Sequence, residues 1–327
     1  METIHIEGIE GAIPRVGLGT WAIGGWMWGG TGQREAHQTI LAALEQGLRL
    51  LDTAPVYGFG RSEEIVGKAL AEHGKRERVV LATKAGLRWT EDGKISRDSS
   101  PQRLRQEVED SLRRLRTEYI DLYQIHWPDH GTDFERTAAT LRGFQEEGKI
   151  RAIGVSNYSP AQMEAFARAA PLASCQPPYN IFERGIEEDV LPWCKEHGVA
   201  MLGYGALCRG LLSGKMSKDR SFEGDDLRQH DPKFQEPRFS RYLAAVEKLK
   251  ALADERFDHS LLQTAVRWIL DQGVEIALWG ARKPDQLQPL PGVFGWHLGE
   301  EDRAEIHRII DETVGEPVGP GFMAPPA

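Results

Sequence analysis

The chain has 327 residues, 40% hydrophobic and 27% charged, the mixture of a globular protein able to bury a large core, which excludes disordered and collagen-like chains. Its net charge of −9 opposes a phosphate backbone or an anionic membrane surface, so no nucleic-acid or membrane partner is expected. The three cysteines, Cys175, Cys194 and Cys208, are too few and too unevenly spaced for a disulfide scaffold or a CxxC metal site; with neither a basic-then-apolar leader nor an apolar run of roughly 18 residues, a cytoplasmic protein is expected.

Near the start, Thr3 to Ile6 followed by Gly8 and Gly11 to Ile13 predicts a β-hairpin suited to closing the bottom of a barrel. Short apolar runs then alternate with amphipathic segments to about position 280, the signature of βαβ units. The predicted strands are Val16 to Gly19, Leu48 to Thr53, Val79 to Lys84, Tyr119 to His126, Arg151 to Ser156, Ala173 to Gln176, Val199 to Gly205 and Glu275 to Gly280. Eight parallel strands close a barrel. Between them, Ile65, Val66, Ala69 and Leu70, and Leu104, Val108, Leu112 and Leu115, recur at helical spacing. Ser100 before Pro101 and Ser159 before Pro160 read as N-caps, and Gly74, Gly148 and Gly198 as left-handed helix ends.

Between the seventh and eighth strands lies a long insertion with a charged stretch from Ser217 to Pro237, a length that in barrels usually serves ligand binding. Helical patterns resume at Tyr242 to Leu252 and Leu261 to Leu270, Glu300 to Asp311 reads as a last helix, and a Gly/Pro-rich tail runs from Gly315 to Ala327. No repeat, linker or low-complexity block divides the chain. The expectation is one domain, residues 1–327, folded as a (β/α)8 TIM barrel with an N-terminal β-hairpin and additional C-terminal helices.

Loops at the C-terminal ends of barrel strands build active sites, so polar residues there carry the most information. Asp52 ends the second strand, Tyr57 lies five residues on, Lys84 ends the third strand and His126 the fourth. Such a group suits proton delivery to an oxygen. A phenol titrating near ~10 gains as a general acid from a neighbour that stabilises the phenolate. Lys84 can supply that charge, Asp52 can keep the buried ammonium paired, and His126 can donate a hydrogen bond that orients the substrate oxygen. Taken singly, each of these residues has a structural reading, as in a buried Asp–Lys ion pair; convergence on one rim favours a site. A Schiff-base lyase using Lys84 is the mechanistic rival, weakened by Asp52, which keeps the amine charged.

Other signals weigh less. Gly17, Gly19 and Ala22 match G-x-G-x-x-A, yet the residues that follow, Ile23, Gly24, Gly25 and Trp26, do not read as a helix start. His126 and His130 have metal-site spacing, but Pro128 lies between them and no third ligand is evident, so no metal is expected. Nine tryptophans are many for this length. Trp21, Trp26, Trp28, Trp89 and Trp127 fall on rim segments; Trp21, Trp89 and Trp127, with Phe59, are the candidate walls of a substrate pocket.

The stretches LLDTAPVYG (Leu50 to Gly58), ATK (Ala82 to Lys84), DLYQIHWP (Asp121 to Pro128), GVSNYS (Gly154 to Ser159) and GARKPDQL (Gly280 to Leu287) resemble, in order and spacing, those of the aldo-keto reductase superfamily. The GTWAIGGWMWGG segment and FMAPP tail are most similar to bacterial family-11 members of the glyceraldehyde-reductase type. The resemblance implies a catalytic tetrad of Asp52, Tyr57, Lys84 and His126, and NADPH bound without a Rossmann domain. It implies further that Thr20, Trp21 and Asp52 adjoin the cofactor, that Ser156, Asn157 and Gln176 hold the nicotinamide carboxamide, and that Tyr204 stacks on its ring. Gly205, Ala206, Leu207, Arg209 and Leu211 match the segment covering the pyrophosphate. Gly280, Arg282 and Gln286 match the adenosine end, where Arg282 with Lys283 would clasp a 2′-phosphate. The chain departs from the family at Pro289 and Leu290, where a Glu-Asn pair usually meets adenine, at Trp279, and at Gly205 and Ala206. The implied reaction is reduction of small aldehydes or ketones, short hydroxyaldehydes such as glyceraldehyde included, by a monomer or small homo-oligomer. A cofactor-sensing regulatory subunit is the non-enzymatic rival, disfavoured because no extra docking segment is evident.

Overall fold

The computed structural model describes residues 1–326. Strands β1 (Thr3–Ile4) and β2 (Ile13–Pro14) form the expected antiparallel hairpin. The barrel strands are β3 (Val16–Gly19), β4 (Leu50–Asp52), β5 (Val80–Ala85), β8 (Ile120–Ile125), β9 (Ile150–Ser156), β10 (Ser174–Gln176), β11 (Ala200–Gly203) and β12 (Ile276–Gly280), all parallel and closed by β12 pairing with β3. All eight predicted strands are present, most of them shorter by one or two residues at an end. Between β5 and β8 lies a second hairpin, β6 (Leu87–Trp89) and β7 (Ile95–Arg97). Short periodicity hid it from sequence reading.

Inside the barrel, Leu50, Val80, Ala82, Leu122, Leu202, Ile276 and Leu278 pack with Ile6, Ile9 and Ile13 from the hairpin, which therefore plugs the lower end. Each such large side chain contributes about 1.5–3 kcal/mol by leaving water. The outer layer is made by α2 (Gln33–Glu45), α3 (Arg61–His73), α4 (Pro101–Leu115), α5 (Phe134–Glu146), α6 (Pro160–Ala167), α7 (Val190–His197), α8 (Arg238–Phe257), α9 (Leu261–Asp271) and α10 (Glu300–Thr313). Before α2 comes a single turn, α1 (Trp21–Gly24), ended by left-handed Gly25. No helix start was expected there; the turn is one of four residues only, far too short to continue a dinucleotide fingerprint.

The caps follow the residues that predicted them. Ser100 accepts from the Arg103 amide ahead of Pro101, Ser159 and Gln162 form a capping box, and Gly74 and Gly198 close α3 and α7 in the left-handed conformation. Gly67 permits a close crossing: a Cβ there would meet the Arg114 carbonyl oxygen at 2.3 Å. The charged stretch of the insertion folds into short 3-10 turns, Leu227–Gln229 and Pro232–Phe234, before α8. Among the described residues no helix is long and apolar enough to cross a membrane.

Register sets the upper rim. Gly19 pairs with Asp52, Asp52 with Ala82, Lys84 with Gln124, and Ser156 with Gln176, so polar side chains from distant parts of the chain arrive at one level.

Candidate active site

Asp52, Tyr57, Lys84 and His126 meet at that rim. Lys84 Nζ, fully buried, donates to Asp52 Oδ1 at 2.7 Å, to the Thr53 carbonyl at 3.1 Å and to Tyr57 Oη at 3.3 Å. Asp52 Oδ2 accepts from Gln176 Nε2 at 2.8 Å and Gln124 Nε2 at 3.4 Å, which holds the carboxylate in one orientation. The Tyr57 ring lies edge-on to His126 at 5.7 Å and stacks at 6.0 Å on Trp21. Tyr57 is presented by a tight turn in which its amide donates to the Ala54 carbonyl. Gly24 lies so close beneath that a Cβ would stand 2.6 Å from the Tyr57 carbonyl oxygen.

Burial, and after it the Asp52 carboxylate, push the Tyr57 hydroxyl well above its ordinary value, while Lys84 Nζ stands at 3.3 Å from the phenol oxygen. Burial lowers Lys84 and Asp52 raises it again. Burial, then Lys84, hold His126 well below the usual histidine range. At neutral pH the site therefore presents a protonated phenol and a neutral imidazole, two hydrogen donors without a charge between them.

Two cavities open on this point. A small one of about 90 Å³ is walled by Trp21, Trp26, Val56, Leu87, Ile95 and Trp127, with Met323 and Pro325 from the tail and Tyr57 and His126 at its polar corner. A groove of about 400 Å³ extends from Asp52, Tyr57, Gln176 and Tyr204 past Gly205, Ala206, Leu207 and Arg209 to Gly280, Arg282 and Gln286, with Thr20 and Trp21 also in its lining. Trp21, Tyr57, Gln176, Tyr204 and Met323 belong to both.

The remaining predicted residues are placed as follows. Thr20 is buried, its hydroxyl donating to the Asp52 carbonyl at 2.9 Å. Ser156 Oγ donates to the Gln176 carbonyl, Asn157 Nδ2 to the His126 carbonyl, and Tyr204 Oη to Asn157 Oδ1, at 2.8, 3.0 and 2.9 Å. These four elements are thus tied into one wall, with Asn157 in the left-handed region at φ 61°. Arg209 touches the groove, but its guanidinium is held by Glu183 and Asp231, with Lys233 completing a buried cluster of alternating charge. Leu211 is in the core, away from the groove. Lys283 is exposed and pairs with Glu35 at 3.3 Å; it does not line the groove. Phe59 and Trp89 do not line the small cavity either. Trp89 stands two cross-strand pairs along its hairpin from Leu87 and leans on Phe59, which leans on Trp26, so these rings form a second layer behind the wall.

Sequence reading missed residues that the insertion, the loop after β3 and the tail bring in. Lys215, Arg220 and Arg228 line the groove, and Trp26, Met323 and Pro325 the small cavity. The charged insertion was a signal for the first group; the aromatic and Pro-rich composition of the other segments did not say which side chains point inward.

A polar corner joining a small apolar pocket to a long cationic groove, on the catalytic rim of a (β/α)8 barrel, is the layout of an oxidoreductase acting on small molecules. Residues 15–311 match the Aldo/keto reductase family, and the chain belongs to that family. It is 57% identical over 325 residues to Aldo-keto reductase YhdN of Bacillus subtilis (strain 168), covering 99% of this chain and 97% of that protein. It is 34% identical to the NADH-specific methylglyoxal reductase of Escherichia coli (strain K12), covering 95% and 99%. Among solved structures it resembles the glycerol dehydrogenase AKR11B4 from Gluconobacter oxydans, with 55% identity, a TM-score of 0.89, and 98% and 99% of the two chains covered.

Proposed function

We propose that this protein reduces small aldehydes and ketones, short hydroxyaldehydes such as glyceraldehyde among them, with NADPH as reductant and Tyr57 as proton donor. The observation that carries the reading is the position of the Tyr57 hydroxyl, where the two cavities meet and within 3.3 Å of Lys84 Nζ. One cavity then takes the carbonyl compound and the other the nicotinamide cofactor. The names of the relatives, a methylglyoxal reductase and a glycerol dehydrogenase, agree with carbonyl–alcohol chemistry.

The groove suits a dinucleotide. Lys215, Arg220, Arg228 and Arg282 line it, and a Cβ at Gly280 would meet nothing within 4 Å, leaving backbone open to a ligand. Gln176, which lines both cavities, would hold the carboxamide together with Ser156 and Asn157, which line the small cavity where the two meet, Tyr204 the ring, the Gly205–Leu207 backbone and Arg209 edge the phosphates, and Arg282 and Gln286 the adenosine end. Arg228 is bonded on two sides to Asp226, but Lys215, Arg220 and Arg282 favour a cofactor with an additional phosphate, hence NADPH, although the E. coli relative is named NADH-specific. When bound, the cofactor supplies the two electrons of the reduction.

The chain supplies the proton. As negative charge grows on the substrate oxygen, the Tyr57 O–H gives up its proton to that oxygen, and Lys84 Nζ steadies the phenolate left behind. Asp52 keeps Lys84 charged before and after. Neutral His126 donates a second hydrogen bond to the same oxygen and fixes which lone pair faces Tyr57. In alcohol oxidation the same groups act in reverse. A Schiff base on Lys84 is opposed by the structure, since its nitrogen is a buried ammonium bonded to a carboxylate at 2.7 Å. We also propose that residues 1–327 act as one cytoplasmic domain, as a monomer or small homo-oligomer.

The test is NADPH consumption with a panel of short aldehydes. For Tyr57→Phe, cofactor binding followed by tryptophan fluorescence should persist while turnover falls about 100-fold or more, the scale of general acid catalysis. A folded native protein that reduces none of the panel, or a Tyr57→Phe variant at native turnover, overturns the reading.

A further inference from the structure

Arg97 ends β7 and has no part in the chemistry above, yet its guanidinium joins three separate walls of the small cavity. Nη1 donates to the Pro128 carbonyl at 2.8 Å and Nη2 to the Pro325 carbonyl at 2.9 Å. The same group lies 5.4 Å from the centre of the Trp127 ring. Its own hairpin contributes Leu87 and Ile95 to the cavity, the segment after β8 contributes Trp127, and the tail contributes Met323 and Pro325.

The tail needs such a hold. It is fastened upstream, where the Val318 amide donates to Tyr242 Oη and Lys233 Nζ to the Gly319 carbonyl. Beyond Gly319, Met323 and Ala324 bond only within their own turn, and Phe322 rests near Arg209 and Lys233. Among the described residues, the bond from Arg97 is the one hydrogen bond that returns the end of the tail to the barrel.

We propose that Arg97 is a positioning residue that determines substrate size: it latches the tail across the carbonyl pocket and so selects short aldehydes over long ones. This rests on the carbonyl-reductase reading of the pocket. A guanidinium is suited to the task because its planar fork serves two carbonyls at fixed angles while its face covers an indole. Lysine retains the charge but can satisfy only part of that geometry.

The experiment compares Arg97→Met and Arg97→Lys with the native protein. Hydrogen exchange of peptides covering residues 320–326 reports the latch, and kcat and KM for a short aldehyde (propanal) and a long one (octanal) report selection. Losing two charge-assisted bonds should raise exchange in the tail and raise KM for propanal about tenfold. kcat for propanal should stay within about twofold because Tyr57, Lys84 and Asp52 are untouched, and the octanal-to-propanal ratio of kcat/KM should rise about tenfold. Arg97→Lys should recover part of both changes; if Arg97→Met does not fold, the intermediate shift in Arg97→Lys decides. Unchanged tail exchange overturns the latch, and raised exchange with an unchanged ratio overturns its role in selection. Native protein inactive on both aldehydes would instead sink the carbonyl-reductase reading, and the exchange result would still stand by itself.

Discussion

Replacing Asp52 by Asn removes one charge from a buried pair while keeping the shape of the side chain. Lys84 is fully buried and Asp52 is 2% exposed, with their charged atoms 2.7 Å apart, so the variant leaves an ammonium group in the barrel mouth without its counter-ion. The new amide also meets donors on both sides, since Lys84 and Gln176 both donate to the carboxylate. Breaking one half of a buried pair costs about 3–5 kcal/mol, a large share of the roughly 5–15 kcal/mol that keeps a typical domain folded.

The cost carries a pH signature. Burial lowers Lys84 and Asp52 raises it; without Asp52 the lysine falls further and sheds its proton in the folded state while the unfolded chain keeps it. More protons bound to the unfolded chain means that stability rises with pH. The deficit of the variant should therefore shrink as pH climbs from its own lowered lysine value to the higher value that Asp52 sustains in the native protein. Urea unfolding of both proteins across pH 6 to 10 measures this. A loss below about 1 kcal/mol at pH 7, or a deficit independent of pH, would refute the claim that Asp52 is the counter-ion of a buried ammonium.

Three further outcomes follow from the same geometry. Because His126 is held neutral by burial and by Lys84, His126→Gln, which keeps a neutral donor, should retain turnover within about tenfold, whereas His126→Leu should lose about 100-fold or more; steady-state kinetics at pH 7 would distinguish them, and equal losses would remove the hydrogen-bond role. Glu107 is buried on α4, accepts from the Gly86 amide and from Arg103, and burial raises it to about 7 from its ordinary 4.5. Its contribution to stability is complete below the unfolded value and is lost as pH rises through about 7, worth about 3 kcal/mol over that interval. Glu107→Gln should flatten the dependence between pH 5 and 8, read from denaturation midpoints. Gly24→Ala should displace the Tyr57 turn, since its Cβ would stand 2.6 Å from the Tyr57 carbonyl; a loss of about 1–3 kcal/mol by overpacking together with reduced kcat is expected, and native values for both would show that the turn yields freely.

Much of this arrangement was legible before any coordinates. The strands announced themselves because a barrel strand is a short apolar run bounded by turn residues, and the tetrad followed because parallel strands deliver their C-terminal ends to one rim. Asp52, Lys84 and His126 needed no more than strand counting; Tyr57 needed only its distance from Asp52. Caps at Ser100 and Ser159 were equally local, decided within four residues of chain.

What tertiary structure alone decided is everything that depends on which distant segments touch. Beside Trp21 and Trp127, the walls of the small cavity come from Trp26, Leu87, Ile95 and Pro325, and no pattern in a linear chain says that a C-terminal tail lies over a hairpin more than two hundred residues earlier. The commitment of Arg209 to Glu183 and Asp231, and the upward push on Tyr57, are of the same kind. A side chain's type is written in the sequence, but its charge state and its partner depend on how much water is removed around it and on what stands within a few ångströms, and both are properties of the packed molecule.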